Sequence, residues 1–473
     1  MSHHTLTSKD KRSTLCLQDD GNLVLYHPTG LPVWASNTFL PPVEAPPHTS
    51  ASHPLLGKVT ATGDSHFADA TGEVLPLGAT YGPGLERMRS APAQCLQELD
   101  DFAAAGYQFV RTWFTLGWYP FWRGHEVAPH DFVGKDGAHI TAWADYDQVV
   151  TDYAAALTDR GLRLFWSCGD LQMFDGDLDA CARWAKHVGG LLSPDPNLVI
   201  FADVNEAWQN WVTNSEPSPD DIDRFVIEPL KAGYGSDFIA LRSAGPGDGE
   251  TVESLDRWAG DISQKHGSRG GFRGDFVTVI RHSRGINYGD PDSPSMRLGI
   301  ESEPAGSDID REGHRGMGPI NSPEALSLNC AANFMAPYAY VSHTHRGVKP
   351  WVGPISAQPG FHEVPRVREM LPADLMSAYR KIVHGGLTTS PFTDAEGFPE
   401  EDHRRIDSVL ADDGRFVTLV YSTNGKTQLQ ARWALSFLIY TPHTGEAHPF
   451  TMQRGDVLDL EYQEGRLLVG QRL

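Results

Sequence analysis

Two apolar runs of the sequence end in carboxylates, about a hundred residues apart. Residues 198–204 lead into Asn205 and Glu206, and residues 296–300 lead into Glu301 and Glu303. Two carboxylates at the ends of two buried strands are what cleavage of a glycosidic bond needs. They can meet only if both strands belong to one barrel or sheet. The sequence therefore predicts that Glu206 and Glu303 share a catalytic site.

The charge balance restricts the partners. The chain of 473 residues has 39 basic and 61 acidic residues, a net charge of −22. Phosphate binding needs a basic surface, so this balance argues against a nucleic-acid groove and against an anionic membrane surface. A neutral carbohydrate partner is compatible with it.

Cysteine usage and the apolar runs predict where the protein is made. Five cysteines are scattered with no CxxC pair, which predicts reduced thiols and a reducing compartment. The amino terminus shows no signal-peptide core, and no run is long enough to insert in a membrane. We expect cytoplasmic synthesis, with release by lysis or association with a virion if the protein acts outside a cell.

Short apolar runs alternate with amphipathic segments from about residue 55 to residue 385. The predicted strands are 75–79, 108–113, 163–167, 198–204, 237–242, 276–281, 297–303 and 338–342. The predicted helices are 93–105, 143–160, 177–192, 220–231, 251–266, 323–333 and 365–383. Strand–helix alternation is typical of a parallel sheet, and eight units indicate a closed (β/α)8 TIM barrel. No glycine-rich phosphate loop follows the first strand, which favours the barrel over an open doubly wound sheet.

Composition shifts predict four segments. Residues 1–40 form a small β unit in which two short strands flank the turn at 20–22, and the Pro-rich residues 41–54 form a linker. The barrel occupies 55–390, and 391–473 return to strands as an antiparallel β domain.

The strand ends resemble those of the retaining glycoside hydrolases of clan A, which are cellulase-like (β/α)8 barrels. The resemblance rests on Asn205-Glu206 after strand four, on the second Glu after strand seven, and on the stretch from Gly106 to Arg111 around strand two. It implies that Glu206 is the acid/base and Glu303 the nucleophile. It also implies that Asn205 binds the sugar 2-hydroxyl and that Arg111 braces the nucleophile.

The resemblance further implies a histidine at the end of strand six, for which His282 is the candidate. Arg284 stands where the clan has a tyrosine, and strand three ends at Asp170 without the clan's frequent histidine. Strand eight leads into His343 and His345 instead of a tryptophan. These departures leave the exact family and the sugar subsites open.

The nucleophile has two candidates. Strand alternation with a period of two residues predicts that Glu301 and Glu303 lie on the same face. Glu303 is favoured because it lies nearer the end of the strand and is followed by Pro304. Glu301 is then expected to contact substrate.

Aromatic and histidine side chains complete the predicted substrate site. Trp118 after strand two and Trp208 after strand four present indole faces suited to the C–H face of a pyranose, or they simply pack in loops. His343 and His345 could ligate a metal only with a third ligand such as His282 or Asp170. We favour hydrogen bonding of His343 to sugar or carboxylate, and we predict no metal and no cofactor.

A second motif lies near the amino terminus. Residues 18–26 read Gln-x-Asp-x-Asn-x-Val-x-Tyr, with Val33-Trp34 downstream. This pattern resembles the bulb-type mannose-binding lectins. The resemblance implies that a mannose-type sugar binds at five positions, which are Gln18, Asp20, Asn22, Val24 and Tyr26.

The chain holds one such repeat, whereas those lectins stack three. One repeat buries too little apolar surface to fold alone. We expect three chains to assemble one unit, giving a trimer. The alternative is a structural β unit without affinity for sugar.

The sequence thus predicts a retaining glycoside hydrolase that acts on a polysaccharide or glycoconjugate by double displacement. The alternative is a non-catalytic carbohydrate-binding or structural surface protein, such as a virion component, built on a degenerate barrel.

Overall fold

The computed structural model describes the greater part of the chain. The described residues are 4–9, 14–17, 23–26, 32–35, 59–62, 66–82, 84–114, 132–133, 139–140, 143–168, 177–207, 218–243, 258–266, 298–303, 322–335, 338–342, 355–358, 360–371, 373, 379–384, 390–395, 404–422, 426–461 and 465–473.

Eight parallel strands form one curled sheet. In chain order these barrel strands one to eight are Leu77–Thr80, Phe109–Trp113, Arg163–Cys168, Val199–Val204, Ile239–Ala240, Ser263–His266, Gly299–Glu303 and Tyr338–Ser342. Strands one to five pair successively in parallel, strands six to eight do the same, and strand eight pairs with strand one. Between strands five and six the Asp261 amide donates to the Ala240 carbonyl at 2.8 Å. The predicted (β/α)8 barrel is confirmed.

Helices follow most of these strands. They are Gly84–Ser90, Pro92–Ala105, Tyr146–Asp159, Leu178–Leu192, Pro219–Ile222 continuing through a π-helical turn at Asp223–Ile227 into Glu228–Tyr234, Pro323–Met335 and Val367–Met370, with 3₁₀ turns at Ile355–Ala357 and Val364–Arg366. Side-chain caps start two of them. Asp177 accepts from the Ala180 amide at 2.8 Å, and Ser218 forms a reciprocal capping box with Asp221.

Two predicted helices are wrong in part. The helix predicted over 251–266 contains barrel strand six at Ser263–His266, where Gly260 and Asp261 separate it from residues upstream. The strand predicted at 276–281 lies outside the described residues, and the sixth position of the barrel is held by Ser263–His266 instead. Of the helix predicted over 365–383, the described residues hold a helical turn at Val367–Met370, but Tyr379–His384 is a strand.

Alternating side chains fill the barrel interior. Phe109, Phe165 and Phe201 form an aromatic cluster with ring centroids 5.3 to 5.7 Å apart. Phe67 joins it from a small three-stranded antiparallel sheet. The strands of that sheet are Thr60–Thr62, His66–Asp69 and Gly72–Val74. The sheet therefore closes the amino-terminal end of the barrel, and polar side chains lie towards the other end.

The carboxyl-terminal part is antiparallel, as predicted. Six strands, in spatial order Tyr379–His384, Arg404–Ala411, Arg415–Ser422, Gly465–Arg472, Leu435–Tyr440 and Ala447–Met452, form one sheet, and Phe392–Asp394, Lys426–Ala431 and Val457–Glu461 form a second. Arg466 contacts Glu324 at 3.1 Å, which ties this part to the helix Pro323–Met335.

The amino-terminal part is a four-stranded antiparallel sheet. Its strands are His4–Thr7, Thr14–Leu17, Leu23–Tyr26 and Pro32–Ala35, paired in chain order. The predicted hairpin around residues 20–22 is present in the pairing of the second and third strands. No helix among the described residues is long and apolar enough to cross a membrane.

Candidate active site at the carboxyl ends of the barrel strands

Glu206 lies immediately beyond strand four in an unusual backbone conformation. Its φ is +45°, and it has the one positive φ of a non-glycine residue in the described part of the chain. Such a conformation costs on the order of 1–3 kcal/mol, and it persists only where neighbours hold it. The Asn205 amide donates to the Cys168 carbonyl at 3.3 Å, and the Ala207 amide donates to Ser243 Oγ at 2.9 Å. The chain is thus fixed on both sides of Glu206.

The Glu206 carboxyl group meets a histidine from strand six. Glu206 Oε1 lies 2.8 Å from His266 Nδ1, and the two side chains are 13% and 5% exposed. An imidazole nitrogen can accept from a protonated carboxyl group or donate to a carboxylate. With a hydrogen on Nδ1, the contact to Oε1 persists whether or not the other carboxyl oxygen of Glu206 carries a proton.

His266 reaches this position because strand six begins tightly against strand five. A Cβ on Gly260 would lie 2.2 Å from the Ala240 carbonyl oxygen, so glycine is required at this approach. Asp261 Oδ2 also accepts from the Ala240 amide at 2.8 Å. These contacts fix the start of the four-residue strand that ends at His266.

Strand seven brings Glu303 beside His266. The register of strands six and seven pairs Lys265 with Glu301 and His266 with Glu303, with a shift between the two pairs. The shift places Ser302 as an extra residue, which is a β-bulge. Adjacent strands lie about 4.8 Å apart, so the backbones of His266 and Glu303 are neighbours at the rim. The side chain of Glu303 lies outside the described residues.

Glu301 is placed differently. It is fully buried, and its register partner on strand eight is Tyr340, which belongs to the core cluster between strands and helices. Register partners share a face of a parallel sheet, so Glu301 faces that layer. The alternation that predicted a common face for Glu301 and Glu303 is interrupted by the bulge at Ser302.

Arg111 lies beneath the rim in a buried polar network. Its Nη2 donates to Asn205 Oδ1 at 2.7 Å and to Asp203 Oδ2 at 3.1 Å, and neither Arg111 nor Asp203 is exposed. The guanidinium also stacks on Trp113 and Phe165. A buried charge without an opposite charge is costly, so Asp203 compensates Arg111. The predicted contact of Arg111 with Glu303 involves a side chain that is not described.

Gln264 extends this network across the barrel. Its Nε2 donates to Asp203 Oδ2 on strand four and to Ser302 Oγ on strand seven, the latter at 2.9 Å. The described residues contain no group of three or more His, Cys, Asp or Glu side chains that could hold a metal ion.

The fold is similar to that of several solved structures. A structure titled "Glycoside hydrolase" superposes with a TM-score of 0.60 at 14% identity, covering 88% of this chain and 97% of the other. A glycoside hydrolase family 5 structure from Bacteroides vulgatus ATCC 8482 gives a TM-score of 0.60 at 12% identity, covering 88% and 94%. The chain shares the fold of these proteins. No protein-family model and no curated protein matches it.

The structure brings together Arg111, Asn205, Glu206 and the backbone of Glu303. Nine further predicted positions at the barrel or the lectin motif have only partial or no description. His282, Trp208, Trp118, His343, Gln18, Asp20 and Asn22 lie outside the described residues, and Val24 and Tyr26 are described by backbone alone.

Three site residues were missed by the sequence interpretation. Asp203 precedes Asn205 by two residues on a buried strand, so alternation could have placed both in the barrel interior. Gln264 and His266 were assigned to a helix. The pair Gly260-Asp261 before a short β-prone start at Ile262 is the signal that could have separated strand six from that helix.

Proposed function

We propose that the protein is a retaining glycoside hydrolase that acts on a polysaccharide or glycoconjugate. The observation that carries this proposal is the contact of Glu206 with His266, the register partner of Glu303. It supports convergence of the two carboxyl groups at one rim. Retaining enzymes hold such groups about 5 Å apart. The shared fold with glycoside hydrolases supports the same reading.

In the first step the Glu303 carboxylate forms a bond to the anomeric carbon. The bond from that carbon to the leaving oxygen breaks, and this oxygen takes the proton of Glu206. The transferred proton is carried on Glu206 Oε2, while a hydrogen on His266 Nδ1 donates to Glu206 Oε1 before and after the step, so His266 neither gains nor loses a proton.

In the second step a water molecule attacks the anomeric carbon. Glu206 takes a proton from that water, and the bond from the anomeric carbon to Glu303 breaks. The sugar leaves with its original anomeric configuration, and both carboxyl groups return to their starting states. The side-chain oxygen Oδ1 of Asn205 accepts from Arg111, so the side-chain NH₂ group of Asn205 is left to donate to another group. A sugar hydroxyl is the acceptor that we propose.

A panel of aryl glycosides and polysaccharides tests the proposal. We expect Glu206→Gln to lower kcat/KM on a polysaccharide about 10²- to 10⁴-fold, which is the usual contribution of a general acid. We expect Glu303→Gln to abolish turnover, and Glu301→Gln to retain more activity than Glu303→Gln in the folded protein. Proton NMR of the first product anomer reports retention.

Full activity in Glu206→Gln or Glu303→Gln refutes the assignment. Loss in Glu301→Gln with activity in Glu303→Gln would move the nucleophile to Glu301. Polysaccharide binding by a wild-type protein that turns over none of the panel would instead support a non-catalytic carbohydrate-binding or surface protein.

For the amino-terminal sheet we propose a second role, in which three chains combine their sheets and bind a mannose-type sugar. The motif Gln18, Asp20, Asn22, Val24 and Tyr26 supports the ligand class. The small size of the four-stranded sheet limits the apolar surface that one chain can bury, which supports assembly with other copies.

A further inference from the structure

Double displacement depends on the separation of two carboxyl groups from strands that are not neighbours. Strands five and six lie between strand four, which leads to Glu206, and strand seven, which ends at Glu303. A misplacement of about 1 Å can cost a hundredfold in rate. Strands four and seven do not pair directly, so a side chain that bonds to both would add a second constraint on their distance to that of the sheet.

Gln264 makes such a contact. It lies on strand six, is 2% exposed, and its amide nitrogen donates to Asp203 Oδ2 and to Ser302 Oγ. A carboxylate can only accept, so the amide nitrogen must face Asp203, and an NH₂ group has one hydrogen for each acceptor. One side chain thus joins the third residue before Glu206 to the residue immediately before Glu303.

The acceptor on strand seven is the bulge residue itself. Ser302 is the extra residue between the pairs Lys265–Glu301 and His266–Glu303, and it is fully buried. Bulges beside active sites redirect the residues that follow them. The hydrogen bond from Gln264 therefore holds the residue that sets Glu303 in register with His266.

The acceptor on strand four is fixed as well. Asp203 is fully buried and paired with Arg111 at 3.1 Å, and Arg111 is in turn bonded to Asn205. Movement of Asp203 would separate a buried charge pair, which is strongly unfavourable. Gln264 is consequently anchored at both ends to groups with little freedom.

We propose that Gln264 is a positioning residue that sets the distance between the two catalytic strands by bridging Asp203 and the bulge at Ser302. The effect of this bridge on catalysis rests on the proposed function. The bridge itself is a property of the fold and can be tested without a substrate.

Gln264→Met is the main variant, because methionine fills a similar volume without the amide. We expect kcat to fall about 10- to 100-fold with KM changed by less than about threefold, since the loss is one of alignment. Ser302→Ala should show a smaller loss of the same kind, and Ser302→Thr, which keeps the hydroxyl, should retain more activity than Ser302→Ala. The double variant Gln264→Met/Ser302→Ala should be no slower than Gln264→Met alone, because both act through one contact.

Ser408→Ala is the matched control. Ser408 Oγ lies 2.7 Å from Thr418 Oγ1, both residues are fully buried, and both belong to the carboxyl-terminal sheet. It removes a buried hydrogen bond far along the chain from the site, so it should lower the melting temperature but not kcat. An unchanged kcat in Gln264→Met, or an equal loss of kcat in Ser408→Ala, would overturn the proposal.

Hydrogen exchange by mass spectrometry separates this inference from the proposed function. In Gln264→Met we expect the amides of residues 298–303 to exchange about tenfold faster than in wild type, with 109–113 unchanged. Faster exchange in a protein whose wild type hydrolyses no glycoside would refute the hydrolase and keep the bridge. If wild type hydrolyses a glycoside but the amides of Gln264→Met exchange no faster than those of wild type, the bridge is refuted and the hydrolase is kept.

Discussion

The buried carboxyl group of Glu98 makes the stability of the fold depend on pH. Glu98 is 4% exposed on the helix Pro92–Ala105, where it accepts from Tyr81 Oη and from Gln94 Nε2 at 3.0 Å, with Arg87 at 3.7 Å. Burial raises the pKa of Glu98, and the Arg87 charge and the hydrogen bonds from Tyr81 and Gln94 offset this in part. The folded chain therefore binds a proton here more tightly than the unfolded chain does.

The raised pKa of Glu98 gives a stability prediction with a definite sign. A carboxyl group with a raised folded pKa stabilises the fold below its unfolded pKa, and this contribution is lost as pH rises through the folded pKa. Glu98→Gln stays neutral at every pH. We therefore expect its free energy of unfolding to rise relative to wild type as pH rises from the unfolded pKa of Glu98 through the folded pKa. Chemical denaturation of both proteins measures this difference from pH 4, near the ordinary Glu pKa of about 4.3, up to pH 8. A difference that is constant with pH would contradict the assignment.

At the residue scale, the sequence predicts the groups that belong to long buried strands. Asn205 and Glu206 follow six apolar or alternating positions, and Arg111 lies within an equally clear strand. Asp203 and Gln264 act through contacts with each other, with Arg111 and with Ser302, and a contact across the barrel leaves no trace in local sequence. The left-handed backbone at Glu206 is equally invisible, because glutamate has no preference for it.

At the scale of elements, barrel strand six is the one whose position in sequence was mispredicted. Ser263–His266 has four residues, all polar, so it lacks the apolar run that identifies the other strands. Its place depends on the approach of Gly260 to Ala240 and on the pairing with strand seven. Tertiary contacts define this strand, and local propensity does not.

The close approach at Gly260 predicts a sensitive position. A Cβ there would lie 2.2 Å from a backbone oxygen, so Gly260→Ala must displace the start of strand six. We expect a loss of about 1–3 kcal/mol in the free energy of unfolding, as for other overpacked sites, together with lower activity because His266 and Gln264 follow on that strand. Urea denaturation and kcat measure the two effects.

Gly190→Ala is the matched control for this substitution. Gly190 lies in the helix Leu178–Leu192, and a Cβ there would have no heavy atom within 4 Å. Alanine is favoured over glycine in a helix by up to about 1 kcal/mol, so stability should hold or rise. Equal behaviour of the two variants would show that the approach at Gly260 relaxes without cost.

At the scale of the whole molecule, the barrel has one closed end and one end that carries the site. The sheet that contains Phe67 closes the amino-terminal end, and Glu206 and Glu303 lie at the ends of strands on the other side. The helix Pro323–Met335 is buried from Glu324 to its last residue, and Glu324 contacts Arg466 of the carboxyl-terminal sheet. The carboxyl-terminal part therefore packs against a helix of the barrel and helps to bury it.

The amino-terminal sheet leads to the prediction about assembly. Leu15 and Leu25 are cross-strand partners, and both are only half-buried in a single chain. Other copies of the sheet could cover these leucines, which favours association. We expect light scattering to give a mass near 156 kDa, three chains of 52.0 kDa, and Leu15→Glu/Leu25→Glu to give 52.0 kDa with unchanged activity. Lys9→Glu, at an exposed position, should leave the trimer intact. A wild-type mass of one chain would end the trimer hypothesis, because three copies are required to build the shared unit.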